Sequence, residues 1–549
     1  MQISEVQHTN SQNPQSNSFG RLRNLIWPIH SFELKKLIPM FILFFLISFV
    51  YNMLRCLKVS LMVTAEGSGV EVIPFLKIGA VLPGALLLTY IFTLLISRFN
   101  REQVFYIILT GFLSYFALFI FVLYPHHHAL QLDSIADFLQ SNIFTGAGSK
   151  GFISAIRHFN LTVFYVLCEM WSSVVLTMLF WGFANEVTKV EEAKRFYAIF
   201  ALGANFSGLI SGEFAQHLEG FSFIPVMSFY KGSEWIFLQV CSVLFIGGVI
   251  ITLFWWLNKT FFSGEMLSSG SDVTVAKVKQ KSEKLSLREC FVYLRKSRYL
   301  TYMVIIVIGY NIVYNLSDTM WTYQITLVSQ TSKEINAYMN HITSLTSIVA
   351  VILALVVSGN VIRRFGWTAA ALITPLVWFL TSIGFFSGLV FEGTILFDML
   401  STFIANPANF VLLLGSIQIC LGRGCKYTVF DEAKEIAFIP LPKDNQRKGK
   451  AVVDGLASRF GKSGGSLIYL FLFYLFGEIA NVVPYVSIII FFALGAWLYA
   501  TLKMGVIVDS AIESGVELTL EEENILSEKS KKRITGSAVP ASATVASSN

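Results

Sequence analysis

The chain has 549 residues, 54% of them hydrophobic and 14% charged, with a formal net charge of +6 and a mean hydropathy of +0.62. Soluble domains carry about a quarter of their residues as charges, so this composition excludes the soluble class and places the chain in a membrane. The small net charge gives no footing for nucleic acid. The six cysteines lie scattered in or beside apolar runs with no CxxC pair, which argues against a disulfide framework or a zinc site.

Residues 1–34 form a Gln-, Asn- and Ser-rich tail with no basic stretch followed by an apolar core, so it is not a signal peptide. A membrane helix needs about 20 mostly apolar residues. Runs of that kind fall near 37–57, 73–97, 104–124, 161–184, 195–214 and 234–257. After a basic linker, 259–298, a second set falls near 299–318, 340–362, 367–391, 394–421, 452–476 and 482–505, followed by a polar tail, 506–549. The prediction is an all-α polytopic membrane protein of about twelve spans in two six-helix bundles, 35–258 and 299–505, a major-facilitator-like plan. The loop after the third span, about 125–160, has room for a short helix.

Loop charge sets the orientation. Arg21, Arg23, Arg98, Arg101, Lys189, Arg195, the 259–298 linker, Arg363, Arg364, Lys426, Lys434 and Lys443 all fall on the side of the termini. The opposite loops are poor in cations. By the positive-inside rule both termini are expected in the cytoplasm. The turns Ser97-Arg98-Phe99-Asn100-Arg101 and Ile362-Arg363-Arg364-Phe365-Gly366-Trp367 echo one another across the halves.

Charges inside the spans are the informative residues. Each costs about 2.5–3.5 kcal/mol near the bilayer centre on insertion scales and persists where it faces a polar cavity. Arg55 and Lys58 stand at the end of the first span, Lys77 early in the second and Glu169 in the middle of the fourth. Asp318 ends the seventh, Asp398 lies in the tenth, and Arg459 and Lys462 lie in the eleventh. Arg55, Lys58 and Asp318 have a second reading, as helix-end groups snorkelling to the interface. Lys462 sits in Gly461-Lys462-Ser463-Gly464-Gly465, whose glycines permit close approach of a neighbour or ligand. That segment is not a phosphate-binding loop of the ATPase kind, because five residues rather than four separate Gly455 from Gly461 and no strand precedes it. Cations on both halves suit a polyanion, since lysine grips mobile phosphates and arginine offers a fork. An isolated buried carboxylate is able to carry a proton. His126-His127-His128 follows Tyr124-Pro125 and reads as a solvated turn rather than a metal site.

The order of several segments is similar to the ATP/ADP translocase family, the nucleotide transporters of plastids, chlamydiae and rickettsiae. The matching segments include Leu61-Met62-Val63-Thr64-Ala65-Glu66-Gly67-Ser68-Gly69-Val70 through Pro74-Phe75-Leu76-Lys77, then Glu169-Met170-Trp171 with Phe180-Trp181-Gly182-Phe183-Ala184-Asn185-Glu186. They continue with Glu192-Ala193-Lys194-Arg195-Phe196-Tyr197, Asn315-Leu316 with Trp321, Lys434-Glu435-Ile436-Ala437-Phe438, Lys448-Gly449-Lys450-Ala451, and the Gly461–Gly465 run. The resemblance covers roughly residues 35–505. It implies that four charged positions, here Lys77, Glu169, Asp318 and Lys462, take part in transport. Asp318 stands where the family usually has Glu. Val59 and Thr322 replace an acid and a lysine common in the family.

The expectation is a transporter, not an enzyme, importing nucleoside triphosphates such as ATP or GTP by alternating access with proton symport. Lys77 and Lys462, with Lys58 and Arg459, would hold the phosphates. Glu169 or Asp318 would carry the proton or set the gate, and Arg55, Asn185 and Asp398 are further cavity candidates. The alternatives are strict ATP/ADP antiport, carriage of another phosphorylated metabolite such as NAD, and a non-transporting receptor. No cofactor, metal or nucleic acid is called for. The partners are the nucleotide, the proton and the bilayer, and a monomer suffices.

Overall fold

The computed structural model describes residues 33–188, 190–220, 230, 232–262, 297–356, 360–391, 394, 406–514 and 518, and among them every regular element is a helix. Eleven helices are long and apolar enough to cross a bilayer. In the first half these are Leu34–Val63, Val72–Arg98, Arg101–Leu123, Phe159–Val187, Arg195–Gly220 and Glu234–Phe261; in the second, Arg298–Val328, Ser332–Leu355, Arg364–Phe391, Pro407–Ala437 and Ile479–Ile512. Ser458–Phe476 runs on without a break from Lys443–Lys450 and Ala451–Ala457. Its lysine, arginine, serines and glycines make it less apolar, but it packs against the seventh span and completes the second bundle as the eleventh span. The segment between the third and fourth spans holds short helices at Asp133–Asn142 and Lys150–Arg157. Residues 1–32, residues 263–296 of the linker, Asp398 and all but residue 518 of 515–549 lie outside the described residues, and the stretch 506–514, expected in the polar tail, continues the last helix, Ile479–Ser514.

Three spans differ from the sequence expectation in ways that matter. The first runs to Val63 and the seventh to Val328, so Arg55, Lys58 and Asp318 are not helix-end groups able to snorkel. Lys58 is only 3% exposed. The tenth span occupies Pro407–Ala437, not 394–421. Asn406 starts it as an N-cap, accepting from Asn409 N, and Pro407 takes the first helical turn, where its missing N–H costs nothing. Lys426 and Lys434, expected in a loop, therefore lie on this helix, paired with Asp431 (3.0 Å) and Asp454 (2.7 Å).

Small residues bring the two halves together. Gly208 and Gly212 of the fifth span face Ser347 and Ser344 of the eighth; a Cβ at either glycine would stand 2.2 Å from the serine Oγ. Cys56 of the first span meets Thr343 at 3.7 Å. Gly148, before the fourth span, faces the backbone of Phe473 at the end of the eleventh. These joints lie from the middle of the bundle toward the side away from the termini. Within the second half, the glycines singled out in the sequence serve close packing: Gly461 sits against Asn311 and Gly465 against Asn315, with added Cβ atoms 2.7 and 2.9 Å from those side chains. The basic turns that echo in sequence hold different partners. Arg101 bonds Glu186 (2.6 Å). Gly366 adopts φ +85°, delivering the Trp367 and Thr368 amides to Asp509 of the twelfth span (2.8 and 3.3 Å).

Candidate functional site

The intramembrane charges gather between the halves. Lys58, on the first span, pairs with Glu169 of the fourth and lies 4.6 Å above the Tyr165 ring. Lys77 Nζ donates to Asn315 Oδ1 at 3.1 Å, and Asn315 Nδ2 donates to the Lys462 carbonyl at 2.7 Å. One asparagine of the seventh span thus ties the second span to the eleventh, and with them the two lysines expected to face each other across the halves. Glycine at 465 is what lets Asn315 reach that carbonyl.

Asp318, one turn beyond Asn315, accepts from Arg423 Nη2 at 2.6 Å. Arg423 also donates to the Tyr314 hydroxyl from Nε (3.1 Å) and Nη2 (2.7 Å), and lies over the rings of Tyr314 (5.3 Å) and Trp321 (5.9 Å). Its Nη1 is buried with no acceptor among the described residues. Trp321 is held in turn by Ser416 Oγ, to which its Nε1 donates at 3.0 Å. Arg423 went unnoticed in the sequence because the tenth span was placed too early. The signal was there: Gly422-Arg423-Gly424 interrupts an apolar run that begins at a capped proline.

The charges act on one another as a set. Lys58 lies within electrostatic reach of Lys77, Arg55 and Asp318; Lys77 of Asp318, Arg423 and Lys462; Arg55 of Arg423, Tyr314 and Tyr51. Five cations face two carboxylates, so the belt keeps an unneutralised positive excess. Lys462 and Arg459 are water-accessible, Lys77 and Arg55 partly so. Asn185 is not part of the belt. It lies exposed at the other end of the fourth span, accepting from the Tyr197 hydroxyl at 2.5 Å. The His126 and His127 Nδ1 atoms lie 2.9 and 2.6 Å from the carbonyls of Val122 and Tyr124 at a helix end, which fits the turn reading.

Several belt residues adjoin π-helical stretches. Lys77 opens Lys77–Val81, Glu169 precedes Trp171–Phe180, and Arg423 precedes Lys426–Phe430. Such stretches are rare and recur at functional sites.

Two six-helix bundles with a charged belt at their interface define a polytopic transporter of the major-facilitator-like class. The fold agrees with that of a D-xylose-proton symporter (TM-score 0.53, 12% identity, covering 85% of this chain and 97% of that one). The sequence profile of the TLC ATP/ADP transporter family matches residues 12–506. ADP,ATP carrier protein 1 of Chlamydia trachomatis is 39% identical, covering 88% of this chain and 91% of its own length. ADP,ATP carrier protein 4 of Rickettsia felis is 33% identical over 91% of this chain and 97% of its own. The chain belongs to the TLC ATP/ADP transporter family. It is a nucleotide transporter of the multi-pass membrane type and not an enzyme.

Proposed function

We propose that this protein imports nucleoside triphosphates such as ATP and GTP across a bacterial inner membrane by alternating access, as a monomer with both termini in the cytoplasm and with proton symport. The observation that carries the nucleotide reading is the excess of cations at the seam: Lys77 and Lys462 bridged by Asn315, with Lys58, Arg55 and Arg423 within electrostatic reach. Glu169 pairs with Lys58 and Asp318 with Arg423, at the places where a phosphate would bind these cations. An arriving polyphosphate exchanges for these carboxylates, and the fork of Arg423 offers its free Nη1 to a phosphate oxygen. Glu169 and Asp318 thereby set the gate, because only one of carboxylate and phosphate is held by each cation. Arg459, accessible and within electrostatic reach of Lys462, lengthens the cationic path toward the termini.

The printed names of the relatives favour a second reading of the mode, strict ADP-for-ATP exchange. Reconstituted protein in vesicles, with and without internal ADP and with and without an imposed proton gradient, separates the two. Uptake into empty vesicles that rises with the gradient supports symport; uptake seen only with internal nucleotide supports exchange. Failure to take up any labelled nucleotide in either arrangement would overturn the whole reading.

A further inference from the structure

The seam between the fifth and eighth spans carries a polar stripe that the substrate site does not use. Gly208, Gly212 and Glu219 share one face of the fifth span, spaced by four and seven residues; Asn336, Asn340, Ser344 and Ser347 share one face of the eighth. The helices run antiparallel, so Gly208 meets Ser347, Gly212 meets Ser344, and Glu219 meets Asn336 at the end away from the termini.

Glu219 is 7% exposed and Asn336 is fully buried. Asn336 Nδ2 donates to Glu219 Oε1 at 2.7 Å, while the other end of the same amide, Oδ1, is buried with no donor among the described residues. Asn340 Oδ1, one turn on, is equally without a donor. Buried amide oxygens rarely go unpaired. A hydrogen on the Glu219 carboxyl would supply a donor here, as in the two-bond ring of a carboxylic acid and an amide. Glu169 and Asp318 each have a cation at bonding distance, whereas the hydrogen-bond partner of Glu219 is a neutral amide. The charged group facing Glu219 from the eighth span is Lys333, exposed and not within ion-pair distance; from the first span Cys56 is in reach; on its own helix Glu213 and His217 are exposed.

We propose that Glu219 and Asn336 form a proton-binding site at the seam, occupied when the halves are closed there and emptied when they part. The site rests on the alternating-access reading above, since the seam must open for the chamber to face the other side. Opening exposes the carboxyl to water, where it gives up its proton; closing buries it again only in the neutral form, because a lone buried carboxylate is costly to desolvate. One proton released per opening makes the opening equilibrium rise about tenfold per pH unit between the pH at which the exposed carboxyl titrates and the higher pH at which the buried one does.

The test needs no nucleotide, so it stands apart from the uptake experiment. Hydrogen–deuterium exchange of residues 208–220 and 332–347 is followed in the full-length reconstituted protein from about pH 5 to about pH 9, the span over which buried carboxylates titrate, and corrected for intrinsic exchange. Protection of both segments should fall with rising pH, with a limiting slope near tenfold per unit. Glu219→Gln, which restores both amide bonds without a proton, should keep them protected and flat with pH. Glu219→Ala should leave them flat and unprotected, while the third and sixth spans exchange as in the parent. Protection independent of pH in the parent protein, or a parental pH slope in Glu219→Gln, would overturn the proposal.

Discussion

Replacing Asp318 by Asn removes the charge that competes with phosphate for Arg423 while keeping the size of the side chain. Arg423 donates Nη2 to Asp318 at 2.6 Å, and the arginine is 3% exposed. A hydrogen bond between charged groups contributes about 1.5–3 kcal/mol. The Asp318 side chain is 25% exposed, so water screens the pair and the lower end applies, about 1.5 kcal/mol or about tenfold in affinity. Asp318→Asn should therefore bind nucleotide about tenfold more tightly, because phosphate no longer displaces a carboxylate. Turnover should drop by a similar factor, because nothing displaces phosphate in return. Arg423 still has Tyr314 and the Trp321 ring, so the variant should fold. Isothermal titration on purified protein gives Kd, and uptake by reconstituted vesicles gives KM and kcat. Weaker nucleotide binding by a folded Asp318→Asn would refute the competition argument and leave the pair as a structural tie only.

Lys77→Ala and Lys462→Ala should each raise the KM for nucleotide by roughly tenfold or more, the scale of one lost charge-assisted bond, as read by vesicle uptake. The double variant should depart from the sum in free energy, since the two ammonium groups lie within electrostatic reach of each other. Gly212→Val should abolish uptake without loss of expression, because its Cβ would stand 2.2 Å from Ser344 Oγ and hold the seam apart; normal transport by this variant would show that the seam need not close tightly. Asp509→Ala should lower stability by about 1–2 kcal/mol, the usual loss of a helix cap, because Asp509 alone receives the Trp367 and Thr368 amides after the Gly366 turn. A thermal melt in detergent measures it.

The membrane class and the approximate number of spans follow from composition and apolar run length, both local properties. The intramembrane charges Lys58, Lys77, Glu169, Asp318 and Lys462 were legible for the same reason: a charge within a run of about 20 apolar residues stands out in one dimension. Hydropathy, however, penalises the very residues that make a site. It cut the tenth span before Arg423 and ended the first and seventh spans at Lys58 and Asp318. Glu219, at the end of a Gly-rich span, gave no signal. Pairing was decided only in three dimensions. Lys77 and Asn315 are 238 residues apart, Glu219 and Asn336 117. Helical periodicity tells which residues share a face, but not which face of which other helix will meet it. That choice is made by close packing, at glycines such as 208, 212 and 465, where the absence of one carbon lets two helices approach and brings their polar groups within bonding distance.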